Sequence, residues 1–264
     1  MKILHKIFCK LVAIVLLGIS SVTIAAEPKI GIVLLHGNGH PTALIGELAH
    51  KLEAHNFLVA HPEMPYSKDR RYDKDVDSAV KQVDDAFSEL KAKGATKFFI
   101  AGHSKGGVFA VYYASNHPVD GLIAISPGAS AASKVMKTKL GKSIKKAKRL
   151  IKEGEGNKPS EFEDYEGGRG ITDLRAPAEA YFSWFNPAGA MNSKRAVKAM
   201  SDKVPVLWIV AKNDYPGLRK VNIPMFELLP ANPKSKLYQP DTNHKNAPTD
   251  SADEIIKWIT DLAR

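Results

Sequence analysis

Residues 98–107 read Phe-Phe-Ile-Ala-Gly-His-Ser-Lys-Gly-Gly, and no other stretch narrows the choice of fold so far. An apolar run of β type ends at Gly102-His103-Ser104-Lys105-Gly106, and residues 108–116 suit a helix. Strand, sharp turn and helix in that order expose the serine at the carboxyl end of a parallel sheet. The turn strains the backbone at Ser104, which only small neighbours tolerate, and Gly102 and Gly106 leave room for the helix to cross the strand. A serine so placed is a nucleophile only if a base, and a group that orients the base, stand nearby. Without them the pattern is a glycine-rich turn with an incidental serine.

The chain on either side reads as strands alternating with helices. Ile30-Gly31-Ile32-Val33-Leu34-Leu35 is continuously apolar, as expected of a strand buried on both faces of a parallel sheet. It runs into His36-Gly37-Asn38-Gly39-His40-Pro41 and a helical pattern over residues 42–55. Strand, His-Gly turn and helix match a loop that supplies backbone donors to an oxyanion. The N–H groups of Asn38 and of Lys105 are the candidate donors, and His36 is expected to brace the loop. Further strands are expected at 57–61, 121–126, 204–210 and 236–239, with helices at 75–93 and 251–262. This is an α/β class chain with a mostly parallel sheet of about six strands flanked by helices.

Between the strands at 121–126 and 204–210 the chain leaves the sheet, giving a cap insertion over about residues 129–203. Residues 133–152 hold nine lysines or arginines and no acid, with Met136, Leu140, Ile144, Ala147 and Ile151 at helical spacing. Such a helix is either a solvated cover or a contact for anionic lipid head groups or an acidic polymer. The six acids of residues 153–166 are candidates to neutralise it in part. Tyr181, Phe182, Trp184 and Phe185 then crowd into one short stretch; Tyr181, Trp184 and Phe185 are candidates to roof an apolar substrate pocket, and core packing is the competing reading.

Asp214 and His244 each fall just past an expected strand, so nucleophile, acid and base run in the order Ser104, Asp214, His244. Asp241 is too close in sequence to His244 to orient it easily, Asp120 falls at the wrong end of its strand, and His103 is expected to point away from the serine. No His and carboxylate spacing suggests a metal, and no cofactor is expected. Cys9 is the only cysteine, which excludes disulfides, and thiolate chemistry from the rest of the chain. The net charge of +10 is concentrated in the cap and in the first residues, so it does not call for a nucleic-acid partner.

From Ile30 onward the chain resembles the α/β-hydrolase-fold serine hydrolases of the esterase/lipase kind, and is similar to small exported bacterial members. His36-Gly37, Gly102-His103-Ser104-Lys105-Gly106, Asp214 and His244 carry the resemblance. It implies hydrolysis of small-molecule or lipid esters through an acyl-serine, without a cofactor. Two departures stand out: the mature chain would begin at what resembles the family's third strand, and Lys105 places a charge at the oxyanion turn. The alternative is a weakly catalytic or inactive member of the fold that binds anionic membrane surfaces through the basic cap helix. Residues 1–26, with Lys2, Lys6 and Lys10 before an apolar run and an Ala25-Ala26 end, read as a cleaved signal peptide. The hydrolase domain would then span 27–264 and be periplasmic or secreted.

Overall fold

The computed structural model describes residues 28–39 and 44–264, so the expected leader and His40 lie outside the described residues. In chain order the elements up to the cap are β1 (Ile30–Leu35), α1 (Gly46–Ala54), β2 (Leu58–Ala60), α2 (Val76–Ala92), β3 (Lys97–His103), α3 (Lys105–Ala114) and β4 (Gly121–Ile125). The cap holds α4 (Lys134–Lys152), β5 (Pro159–Glu166), β6 (Gly170–Pro177), α5 (Ala178–Phe185) and α6 (Ser193–Ala199). The chain closes with β7 (Val206–Ile209), α7 (Pro216–Glu227), β8 (Lys236–Tyr238), α8 (Ala247–Asp250) and α9 (Ala252–Ala263).

Six strands form one sheet in the order β2-β1-β3-β4-β7-β8, and every pairing in it is parallel. From β1 the chain steps outward to β2, then crosses back to β3 and continues in the opposite direction. The loops after β1 and β3 therefore diverge at a switch point, which is where sheets of this kind take their ligands. Those loops carry Asn38 and Ser104.

Alternation along the strands divides the core in two. Ile32 and Leu34 pack with Phe99, Ile123 and Leu207 beneath α1 and α9, whereas Val33 and Leu35 pack with Ile100, Leu122 and Trp208 beneath α2, α3 and the cap. All six residues of β1 are buried. At about 1.5–3 kcal/mol per large apolar side chain removed from water, this strand alone anchors both layers. The ends of α2 follow local chemistry: Asp75 accepts the Ser78 N–H at 2.8 Å, and Gly94 takes φ +93° just beyond the helix.

The helix expected at 108–116 starts earlier, at Lys105, because Ser104 O accepts the Val108 N–H at 3.1 Å and the helix grows directly from the turn. The antiparallel hairpin β5-β6 is not signalled by the sequence. Its apolar pattern is thin, with Phe162 opposite Leu174 buried and charged residues through the rest. The acids of residues 153–166 neutralise the basic helix only in small part, through Glu153, which pairs with Arg149 at 3.4 Å. Glu161 pairs with Arg175 at 3.0 Å, Glu155 with Lys158 at 2.8 Å and Glu166 with Arg169 at 3.6 Å, while Asp164 turns inward.

Candidate active site

The turn after β3 holds Ser104 at φ 53° and ψ −117°, a strained conformation for a residue with a side chain. Packing enforces it. A Cβ at Gly102 would stand 2.2 Å from Gly106 O, and one at Gly106 would stand 2.4 Å from His36 O. The two glycines thus let β3, α3 and the end of β1 close on one another, leaving Ser104 half-buried at the sheet's carboxyl edge.

His244 reaches this serine from the loop after β8. Its Nε2 lies 3.0 Å from Ser104 Oγ and its Nδ1 2.8 Å from Asp214 Oδ1. With Nδ1–H donating to the carboxylate, Nε2 is left as an acceptor for the serine proton. Asp214 Oδ1 also accepts the Tyr215 N–H at 2.6 Å, and its side chain has no exposed surface. A bridge between Asn213 and Asn243 joins the two loops, with Asn213 N–H donating to Thr242 O at 2.9 Å. The other carboxylates are engaged elsewhere: Asp241 accepts from Asn213 Nδ2 at 3.0 Å, and Asp120 pairs with Lys97 at 3.0 Å beyond the amino end of β3.

His103 points away from Ser104 Oγ, as expected, but does more than fill space. Its Nε2–H donates to His244 O at 2.9 Å, tying the elbow to the loop that carries the base. Burial, and then the neighbouring His244, push its pKa down to about 3, so it stays a neutral donor.

In the loop after β1, His36 is fully buried and burial lowers its pKa. Its Nε2 accepts the Met64 N–H at 3.0 Å, so Nδ1 carries the proton and donates to Gly37 O at 2.6 Å. Tyr66 Oη donates to His36 O at 3.0 Å. A Cβ at Gly37 would meet Ser104 Cβ at 3.1 Å, so this glycine sets how closely the loop, and Asn38 after it, approach the serine. Lys105 is the first residue of α3, where N–H groups lack partners within the helix and the dipole favours negative charge. Gly128, in the turn that ends the β4 strand, adds to this close packing. A Cβ there would crowd Lys105 N at 3.3 Å and Ser104 Oγ at 3.4 Å.

The Lys105 side chain is not free at the turn. Its ammonium bonds Tyr72 Oη, lies 3.4 Å from Asp164 Oδ2 in β5, and sits over the Tyr72 and Phe185 rings at 4.7 and 5.1 Å. Tyr72 Oη in turn donates to Asp164 at 2.9 Å, burial and that carboxylate keeping the phenol protonated. This group ties the cap hairpin to the residue after the serine. Beside it is a cavity of about 10 Å³ lined by Tyr72, Lys105, Ala129, Met136, Trp184 and Phe185. Trp184 and Phe185 line this cavity and are otherwise buried in the core. Tyr181 does not line that cavity: it is fully buried, stacks on Phe162 and Phe185 at 4.3 and 4.5 Å, and donates to Glu163 O at 2.7 Å, which makes it part of the cap's own core.

The family described as "Serine aminopeptidase, S33" matches residues 26–166, more than half of the chain. The chain belongs to that family. The matched segment contains the β1 loop and Ser104 but stops short of Asp214 and His244, whose placement comes from the fold. No curated protein matches the chain at a significant level. Among solved structures, the monoacylglycerol lipase of Paleococcus ferrophilus is similar at 21% identity and TM-score 0.61, over 90% of this chain and 98% of that one. A carboxyl esterase from Bacillus coagulans, in complex with glycerol, is similar at 15% identity and TM-score 0.62, over 91% and 92% of the two chains. Est1E from Butyrivibrio proteoclasticus, with ferulic acid bound, is similar at 15% identity and TM-score 0.60, over 90% and 91%. Together with the parallel sheet, these likenesses establish the α/β-hydrolase fold for this member of the family.

Proposed function

We propose that the protein is a serine hydrolase that cleaves carboxylic esters through an acyl-serine intermediate. The observation that carries this reading is the unbroken hydrogen-bond chain from Ser104 Oγ through His244 to Asp214, at 3.0 and 2.8 Å. In the first step His244 Nε2 takes the Ser104 proton as Oγ attacks the ester carbonyl, and Asp214 stabilises the imidazolium that forms. The N–H groups of Asn38 and Lys105 hold the oxyanion, and His244 then gives its proton to the departing alcohol. Water enters by the reverse sequence and releases the acid. The loss of one such donor lowers the rate by roughly 10²–10³.

Esters are favoured over peptides by the lipase and esterases whose fold this chain shares. The basic start and apolar run of residues 1–26 support export to the periplasm or beyond. The test is a panel of p-nitrophenyl esters of increasing acyl length beside aminoacyl p-nitroanilides. Turnover of the esters is expected; turnover of the anilides alone would make the protein a peptidase instead.

A further inference from the structure

The cap helix α4 presents a cationic ridge that the rest of the fold leaves without counter-charge. Lys134, Lys137, Lys142, Lys145, Lys148 and Lys152 are all exposed and fall within one arc of the helix, while Met136, Leu140 and Ala147 are buried on the other side. Over the 19 residues of α4 the ridge is roughly 28 Å long. Of the basic residues on α4, Arg149 pairs with Glu153 at 3.4 Å and Lys146 donates to Glu161 O at 2.7 Å. The six ridge lysines have no acidic partner among the described residues; of the acids of β5, Glu161, Glu166 and Asp164 are committed to Arg175, Arg169 and Lys105, and Glu163 accepts from Ser143 Oγ on the buried side of α4 at 3.2 Å.

The helix borders the cap hairpin, whose turn approaches the base. Lys139 lies 5.9 Å over the Tyr165 ring, Tyr165 pairs across the hairpin with Ile171, and Ile171 is 47% exposed. At the hairpin turn a Cβ on Gly168 would meet Tyr215 Oη at 2.9 Å, and the Tyr215 ring lies 5.0 Å from that of His244. Val135, 39% exposed, stands beside the cavity-lining Met136. The apolar face of α4 is packed inside the protein, so the helix would meet a lipid surface through the charge of its lysines.

We infer that α4 docks the protein on an anionic lipid bilayer, with the hairpin turn and the mouth of the site toward the membrane. The residue chemistry favours a bilayer over a nucleic acid or other polyanion. Lysine is a point charge on a flexible stem suited to a diffuse plane of head groups, whereas the single arginine of the helix, the residue that grips phosphates bidentately, is paired with Glu153. The ridge also carries no aromatic side chain on which a base could stack. If the site cleaves esters as proposed, docking would bring it to esters held in the bilayer; the docking itself does not depend on that chemistry.

The test is co-sedimentation of the protein, made from its full gene, with vesicles of equal parts phosphatidylglycerol and phosphatidylcholine, beside vesicles of phosphatidylcholine alone. Binding to the anionic vesicles only is expected, vanishing as salt approaches about 1 M, where the screening length falls to roughly 3 Å. A lysine near an anionic surface is worth roughly fivefold in partitioning, so K137E/K145E/K148E is expected to lower it by more than about a hundredfold. Thermal unfolding checks that the variant is folded, and sedimentation needs no turnover, so a failed ester assay leaves the result readable. Equal binding to neutral vesicles, an unchanged variant, or binding to soluble polyphosphate without binding to vesicles would overturn the inference.

Discussion

Asp214→Asn removes one charge from the site while keeping its shape. Asp214 Oδ1 accepts both the His244 Nδ1–H at 2.8 Å and the Tyr215 N–H at 2.6 Å, and Oδ2 is buried without a donor among the described residues. An asparagine can keep its oxygen toward both donors only by placing its NH₂ where Oδ2 now sits, and a buried donor without an acceptor costs about 1–3 kcal/mol. The larger loss comes in the transition state, where the imidazolium of His244 faces an amide instead of a carboxylate. Two unit charges about 4 Å apart at an effective dielectric constant of about 20 attract by roughly 4 kcal/mol, which is about three decades in rate. The expected outcome is therefore a kcat lower by roughly 10²–10⁴ with KM little changed. The assay is steady-state hydrolysis of a short p-nitrophenyl ester, with a thermal melt of the same preparation. A variant that melts like the wild type and keeps more than a tenth of its kcat would refute the role given to Asp214.

Three further outcomes follow from the geometry. His103 binds its proton with a pKa of about 3 when folded and about 6.5 when unfolded, so the unfolded state takes up the proton first; stability is full above about pH 6.5 and falls by a few kcal/mol toward about pH 3. Urea midpoints against pH should show that slope flattened in His103→Gln, and an identical slope in both proteins would assign it to other groups. Gly102→Ala drives a Cβ to 2.2 Å from Gly106 O, so it should lower unfolding stability by about 3 kcal/mol or more, and a wild-type urea midpoint would contradict the packing described. Asp164→Leu should destabilise the cap by about 3 kcal/mol by leaving the Lys105 ammonium, 16% exposed, without its carboxylate, and adding Lys105→Met should restore most of the loss; simple additivity of the two changes would rule out the pairing.

The sheet was legible in the sequence because its central strands are buried on both faces. Ile30–Leu35 and Gly121–Ile125 read as unbroken apolar runs between turn residues, and the structure pairs each with β3. Ser104, Asp214 and His244 are legible because each follows an expected strand of a parallel sheet, on the edge where the loops after the strands gather. What the sequence hid depends on distant partners. Lys105 and Asp164 are 59 residues apart, and nothing local marks Asp164 as different from the acids around it. The β5-β6 hairpin buries little besides Phe162, Leu174 and Ala176, too sparse a pattern to separate from a charged loop. Tyr181 shows the limit for aromatic clusters: its spacing is that of Trp184 and Phe185, and only the position of Phe162 turns it into the cap's interior.

Activation of Ser104 as a nucleophile is read by intact mass spectrometry after treatment with a fluorophosphonate. The wild type should gain one phosphonyl group located at Ser104, Ser104→Ala none, and His244→Ala should react at least roughly a hundredfold more slowly. Labelling at another residue, or none in a folded wild-type protein, would contradict that activation.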